Sequence, residues 1–244
     1  MENTLAKPTF EEVVAVTTMK LPDAGLTFNA QRVGPTNFNG LRNADYGQGF
    51  KMPVMSQLTE LVYASLENKD YQTAKEVIST LKKYWLAGNT VVHYFPKGMF
   101  VDDNPEMKGG RIVCPDFKTL ESRLGKHEEK GVVFSDDKRT RFTPYNYKTD
   151  SQNAFELSQN TGVIALLGGE EKAEKIARAS GHYKINPYFW ALSNVNSPQS
   201  RVADLGSGNF DVRLVVDAVD SEYYAYRYSF GVLDKDTAGV APQK

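Results

Sequence analysis

The chain has 244 residues, 41% hydrophobic and 24% charged, which excludes a disordered chain and describes a globular body with a sizeable core. Its 29 basic and 30 acidic residues leave a formal charge of -1, so no positive field exists to condense on nucleic acid or on an anionic membrane surface. The single cysteine, Cys114, excludes an intramolecular disulfide and any cysteine-based zinc spacing.

In chain order, the opening MENTLAKPTFEEVVAV places Glu2, Lys7, Glu11 and Glu12 where a signal peptide needs an apolar run. A cytoplasmic location is expected, with display on a surface by another route left open. No apolar run approaches the length of a bilayer span. The short run GFKMP ends at Pro53, and Ser56 is then the expected N-cap of a first helix carrying Leu58, Leu61, Val62 and Leu66 on one face. Asp70 is the expected cap of a second helix, with Ala74, Val77, Ile78, Leu81 and Trp85 along its apolar face, Lys82 and Lys83 near its end, and Gly88 as its stop.

Beyond the helices the pattern shortens to strands. TVVHYFPKGMFVDDNP reads as a hairpin about Pro96, Lys97 and Gly98, and GVVFSDDKRTRFTPY as a second about Asp136 and Asp137. Between them DFKTLESRLGKHEEKG is polar enough for a short surface helix. NAFELSQNTGVIALLGG and EEKAEKIARASG read as helices, the latter ending at Gly181. No internal repeat or low-complexity linker supports a domain boundary.

Catalytic signatures are thin. His93, His127 and His182 are scattered, with no HExxH, no nucleophile elbow and no phosphate-binding GxxxxGK loop. His93, inside an apolar run, is expected to be packed or hydrogen-bonded. Asp102, Asp103 and Glu106 could hold a hard cation through oxygen, but Asn104-Pro105 favours a solvated turn there. Glu170 and Glu171 suit the first turn of a helix, facing its macrodipole. Cys114, before Pro115, has no base nearby in sequence and reads as a structural thiol.

Residues 193–228 stand apart. About half of them are Ser, Asn, Asp, Gly or Tyr, and DSEYYAYRYSFGV alone holds Tyr223, Tyr224, Tyr226 and Tyr228. Binding loops use this palette, because tyrosine offers large amphipathic contact with few rotatable bonds while Ser, Gly and Asn adapt their hydrogen bonds. Ordinary loops and strand faces use the same residues, so composition alone leaves both readings open.

The stretch GFKMPVMSQLTELVYASL resembles the opening of the formylglycine-generating-enzyme-like branch of the C-type lectin fold, where a strand ending in Pro leads into the first long helix. YFWALSNVNSPQSRVADLGSGNF and the final YSFGV resemble that fold's closing strands and loops. Within the branch, the chain is most similar to variable proteins of diversity-generating retroelements, in which adenine-directed mutagenesis rewrites the carboxyl-terminal repeat. The two ends carry the likeness and residues 90–180 hardly do. The resemblance implies an α+β C-type lectin-like domain over residues 1–233, with an insertion at about 90–150, a candidate variable region at 193–228 and a flexible tail at 234–244.

An asparagine codon AAC randomised at its adenines encodes Asn, Ser, Asp, Gly, Tyr and others but never Lys, Glu, Gln, Met or Trp. Asn194, Asn196, Ser207, Gly208, Asn209, Asp211, Asp220, Ser221, Tyr223, Tyr224 and Tyr226 all belong to that set and form the candidate ligand-binding positions. Lysine is absent from 193–228, whereas Gln199 and Glu222 fall outside the set and must be fixed or come from other codons. Phe189, Trp190, Leu192, Val202, Leu205, Phe210, Leu214, Val216, Phe230 and Val232 are the expected scaffold.

The oxidase that makes formylglycine uses a pair of cysteines, which this chain lacks, and the Glu-Pro-Asn, Gln-Pro-Asp and Trp-Asn-Asp triplets of calcium-dependent lectins are absent. The reading is therefore a non-catalytic protein without cofactor or metal, binding a protein or other macromolecule through a hypervariable surface. The alternatives are an enzyme on the same scaffold, which needs His93, Asp102 or Asp103 to converge on a metal, and a fixed adhesion module.

Overall fold

The computed structural model of the chain describes residues 7–13, 18–207 and 213–234. The first part of the chain forms β1 (Glu11–Val13), β2 (Thr18–Leu21), β3 (Leu26–Thr36), α1 (Phe38–Arg42), α2 (Met55–Glu67) and α3 (Gln72–Lys83). The middle forms β4 (Trp85–Phe95), β5 (Gly98–Asp103), β6 (Met107–Lys108), β7 (Arg111–Ile112), α4 (Phe117–Glu121), β8 (Leu124–Glu129), β9 (Val132–Ser135), β10 (Thr140–Thr143) and β11 (Asp150–Ser151). There follow α5 (Ala154–Ser158), α6 (Thr161–Leu167), α7 (Glu170–Ala179), β12 (Tyr188–Trp190), β13 (Gln199–Gly206), β14 (Val215–Asp220) and β15 (Arg227–Asp234).

One large sheet runs in the order β1-β2-β3-β15-β4-β13-β14-β12-β11, with β5, β10, β9 and β8 branching from β4. β4 carries the branch because it is 11 residues long. Trp85 and Leu86 pair with β15, Thr90 to Phe95 pair with β5, and β13 runs along the other edge. Its sequence, WLAGNTVVHYF, is buried almost throughout, as a central strand covered on both faces must be. The stretch from 90 to 150 is thus continuous with the main sheet, since β4, β5, β10 and β9 belong to it.

Side chains alternate between faces along a strand, and here the alternation separates two environments. Val92, Tyr94, Ala203, Leu205, Val216, Ala218, Tyr228 and Phe230 point to one face. There they form the main core with Leu58, Leu61 and Val62 of α2, Val77 and Leu81 of α3, and apolar residues of α6 and α7. The second face holds a smaller cluster of Ala87, Val91 and Val202 under Phe38, Leu41, Tyr46 and Met52. Further along β4 and β5 the same face holds a third apolar cluster of Phe95, Phe100 and Leu120, and between the two lie buried polar residues, among them His93, Asp204 and Asp217. Gly88 lets α2 start close against β4, since a Cβ there would lie 2.8 Å from the Met55 nitrogen.

Several boundaries differ from expectation for tertiary reasons. The first helix begins at Met55 instead of being capped by Ser56. Gln57 Oε1 accepts from the Val54 N–H at 3.1 Å, and Thr90 Oγ1 accepts from the Met55 N–H at 2.9 Å. The second helix starts at Gln72 rather than beside an Asp70 cap, and ends at Lys83. Trp85, expected on its apolar face, and Gly88, expected as its stop, are strand, because Leu86 and Ala87 find partners in Leu205 and Asp204. The polar segment expected as one helix gives α4 and then β8, drawn into the sheet by β9. Both hairpins form where expected.

Candidate functional site

The candidate positions sit about the second, polar face. β12 and β14 run parallel, with Trp190 opposite Asp217, so both strands finish at the same end of the sheet. β13 runs antiparallel to β14 and starts there, with Val202 opposite Asp220. The loop between β12 and β13, carrying Asn194 and Asn196, therefore leaves from the end where β14 gives way to Ser221. Val195 is buried between the two exposed asparagines and pins that loop.

From Asp220 the chain crosses the polar face to reach β15, and this crossing presents the tyrosines. Tyr223 is 58% exposed, Tyr224 37% and Tyr226 63%, with the rings of Tyr224 and Tyr226 5.6 Å apart. Arg227, wholly buried beneath the crossing, holds it in place. Its Nε donates to both carboxylate oxygens of Asp204 at 2.9 Å, and its Nη1 donates to the backbone carbonyls of Ser221 at 2.9 Å and Tyr224 at 2.8 Å. The guanidinium also lies 5.3 Å from the centre of the Tyr224 ring, within range of a cation–π contact. Glu222 is a second anchor: its carbonyl accepts from the Phe38 N–H at 3.2 Å and its Oε2 from the Ile112 N–H at 2.9 Å. Backbone positions are thus set by internal bonds while three phenol rings face solvent.

The ground under the crossing is electrostatically loaded. Asp204 and Asp217 are direct cross-strand partners, both buried, and Asp220 completes a set whose carboxylate oxygens lie within 4.8 Å of one another. Such a set could hold a cation, and Arg227 already supplies one, with Nη2 3.7 Å from Asp220. Burial, only partly offset by Arg227, pushes the Asp204 carboxyl up to about 6. Burial and then the neighbouring Asp204 push Asp217 up to about 8, so Asp217 keeps its proton near neutrality. Its Oδ1 accepts from the Val219 and Asp220 N–H groups at 3.0 and 3.3 Å.

The structure divides the candidate positions. Asn194, Asn196, Ser221, Tyr223, Tyr224 and Tyr226 are exposed and Asp220 is half-buried. Ser207 is buried at the other end of the β13–β14 pair, its N–H bonded to the Leu81 carbonyl, so it does not belong with them. Gly208, Asn209 and Asp211 lie outside the described residues, as do Phe210 among the scaffold positions and the tail beyond Asp234. Tyr228 does not share the outward orientation of its neighbours. It lies on the core face, 6% exposed, with its ring 4.6 Å from that of Tyr84 and 4.8 Å from the Arg32 guanidinium. Trp190, expected as scaffold, is 53% exposed on the polar face, because its register with Asp217 turns it away from the core that Phe189 enters. Leu192 is partly buried, and Phe189, Val202, Leu205, Leu214, Val216, Phe230 and Val232 are core as expected.

Arg227, Asp204, Asp217 and the anchoring role of Glu222 escaped the sequence reading. The signal for the two aspartates was a lone charge inside an apolar strand run, VADLG and VVDAV, which marks a buried charge needing a partner. Asp103, beside Asp102 and before Asn104-Pro105, carries no such signal, and it is no solvated turn: it is buried on β5 in a fork with Arg141 Nη1 and Nη2 at 2.7 and 3.1 Å. Asp102 is also buried, paired with Arg123 at 3.2 Å and 4.0 Å from His93 Nε2. His93 Nδ1 lies 2.8 Å from Ser200 Oγ. Burial first, and then Arg123, depress the imidazole to about 4, so the wholly buried ring is neutral at ordinary pH.

No protein-family model matches this sequence, and no curated protein matches it. Among solved structures, one described as the accommodation of massive sequence variation in Nanoarchaeota by the C-type lectin fold matches with a TM-score of 0.51. The two are 16% identical, and the match covers 83% of this chain and 96% of that one. The chain is thus an α+β protein of the C-type lectin fold. Among the described residues no helix is long and apolar enough to cross a membrane.

Proposed function

We propose that this chain is a ligand-binding module acting by recognition and not by catalysis, its C-terminal surface diversified by retroelement mutagenesis and its ligand a protein or other macromolecule. In this reading it belongs to the formylglycine-enzyme-like branch of its fold. The observation that carries the proposal is the exposed tyrosine crossing pinned from below by Arg227. Exposed aromatic anchors on a rigid backbone are the usual source of binding energy, each contributing on the order of 2 kcal/mol or more at a hot spot.

Two further observations support it. The solved protein of like fold is described as accommodating massive sequence variation. Glu222 and Gln199, which a randomised AAC codon cannot encode, both make internal contacts here: Glu222 with Ile112, and Gln199 Oε1 with Arg201 Nη2 at 2.5 Å. Fixed anchors beside free side chains are what a diversified surface needs. His93 has no exposed surface and a depressed imidazole, which suits a packed residue better than a general base.

Sibling genes or a template repeat decide the matter. Their differences from this chain are expected at adenine-derived codons for the exposed positions within 193–228, sparing Glu222 and Arg227. Differences spread evenly along the chain would sink the proposal.

A further inference from the structure

A second concave site lies on the helical side of the sheet, away from the tyrosine crossing and independent of the reading above. It is a groove of about 580 Å³ between α3, the connection from α2, and the segment that follows α7. We propose that this groove binds a small molecule carrying clustered phosphate groups.

Charge is the first reason. Lys69, Lys75, Lys82, Lys83 and Lys184 line the groove against a single lining carboxylate, Asp70, on a chain whose formal charge is -1. Lys75 and Lys82 are two turns apart on one face of α3, with Ser79 between them. A helix C-terminus accounts for Lys82 and Lys83 alone. Lys69 and Lys184 come from different segments, so three separate parts of the fold converge cations on one hollow.

Lys69, Lys75, Lys83 and Lys184 have no carboxylate within 4.0 Å among the described residues. Glu67 is taken by His182 Nε2 at 3.1 Å. Gathering like charges in one hollow works against folding, and an anionic ligand seated there explains the arrangement.

Size and chemistry narrow the ligand. The volume falls within the range of small-molecule pockets, roughly 300–1,000 Å³. The lining cations are all lysines, whose ammonium groups act as point charges suited to the spread oxygens of clustered phosphates. Leu66 and Ile78 provide an apolar floor beneath those charges. A phosphate ester with an organic body fills both features, and inorganic polyphosphate fills the first alone.

The test is calorimetric titration of the full chain at low ionic strength with inorganic triphosphate and, separately, with ATP, repeated on Lys75→Glu/Lys184→Glu and on Tyr224→Ala. Saturable one-to-one binding is expected for at least one probe. The double variant, confirmed as folded by its thermal melt, should bind at least about tenfold more weakly, and Tyr224→Ala should match the parent. Tighter binding of ATP assigns an organic ester, and equal or tighter binding of triphosphate assigns inorganic phosphate chains. Absence of saturation with both probes up to about 1 mM, or an unaffected double variant, overturns the assignment.

Discussion

Arg227→Met removes the brace beneath the tyrosine crossing while keeping much of the side-chain volume. Asp204, wholly buried, loses its counterion, and the carbonyls of Ser221 and Tyr224 lose their donors. Breaking a buried pair from one side costs about 3–5 kcal/mol, because the remaining charge stays unpaired. The two carbonyls lie on an exposed crossing and can turn to water, so they add little. The loss also depends on pH in a definite sense. Asp204 is already raised from 3.8 to about 6 with the guanidinium present, and rises further without it. A carboxyl raised in the folded state favours folding fully below its unfolded value, and that contribution is lost as pH rises through the folded one. The deficit of the variant should therefore be smaller at pH 5 than at pH 8. Urea denaturation of parent, Arg227→Met, Asp204→Asn and the double variant at both pH values measures it. The double variant should recover much of the loss, and amide exchange at 221–224 should quicken in Arg227→Met. A loss below about 1 kcal/mol with no coupling to Asp204 would show that the guanidinium is not the brace.

Two other outcomes follow from the same face. Asp217→Asn keeps an acceptor for the Val219 and Asp220 N–H groups but removes a carboxyl raised from 3.8 to about 8. The parent should lose stability as pH rises from about 4 to about 8. The variant should show a flatter profile and a higher urea midpoint at pH 8, and parallel profiles would contradict the assignment. Tyr223→Ala and Tyr226→Ala should each change stability by less than about 0.5 kcal/mol. Tyr224→Ala should cost up to about 1 kcal/mol because of its contact with Arg227, and Tyr228→Ala about 3–5 kcal/mol because its ring is buried against Tyr84. Thermal melts of the four variants check that order, and a Tyr228→Ala protein as stable as Tyr223→Ala would refute it.

The amino-acid sequence by itself determined what local periodicity and composition can carry. Leu58, Leu61, Val62 and Leu66 announce a helix one turn at a time, Pro96 to Gly98 announce a hairpin, and the density of Tyr, Ser and Asn sets 193–228 apart from the rest of the chain. Only the tertiary structure decided that Trp85 leaves the helix for a strand, since its partner Arg227 lies far along the chain. It likewise decided which side of each strand faces the helices. Period-two alternation states that Trp190 and Phe189 oppose one another, but their environments depend on where α2, α3, α6 and α7 come to rest. That choice sends Tyr228 into the core, leaves Trp190 in solvent, and brings Asp204, Asp217 and Arg227 together from three strands under a crossing none of them could hold alone.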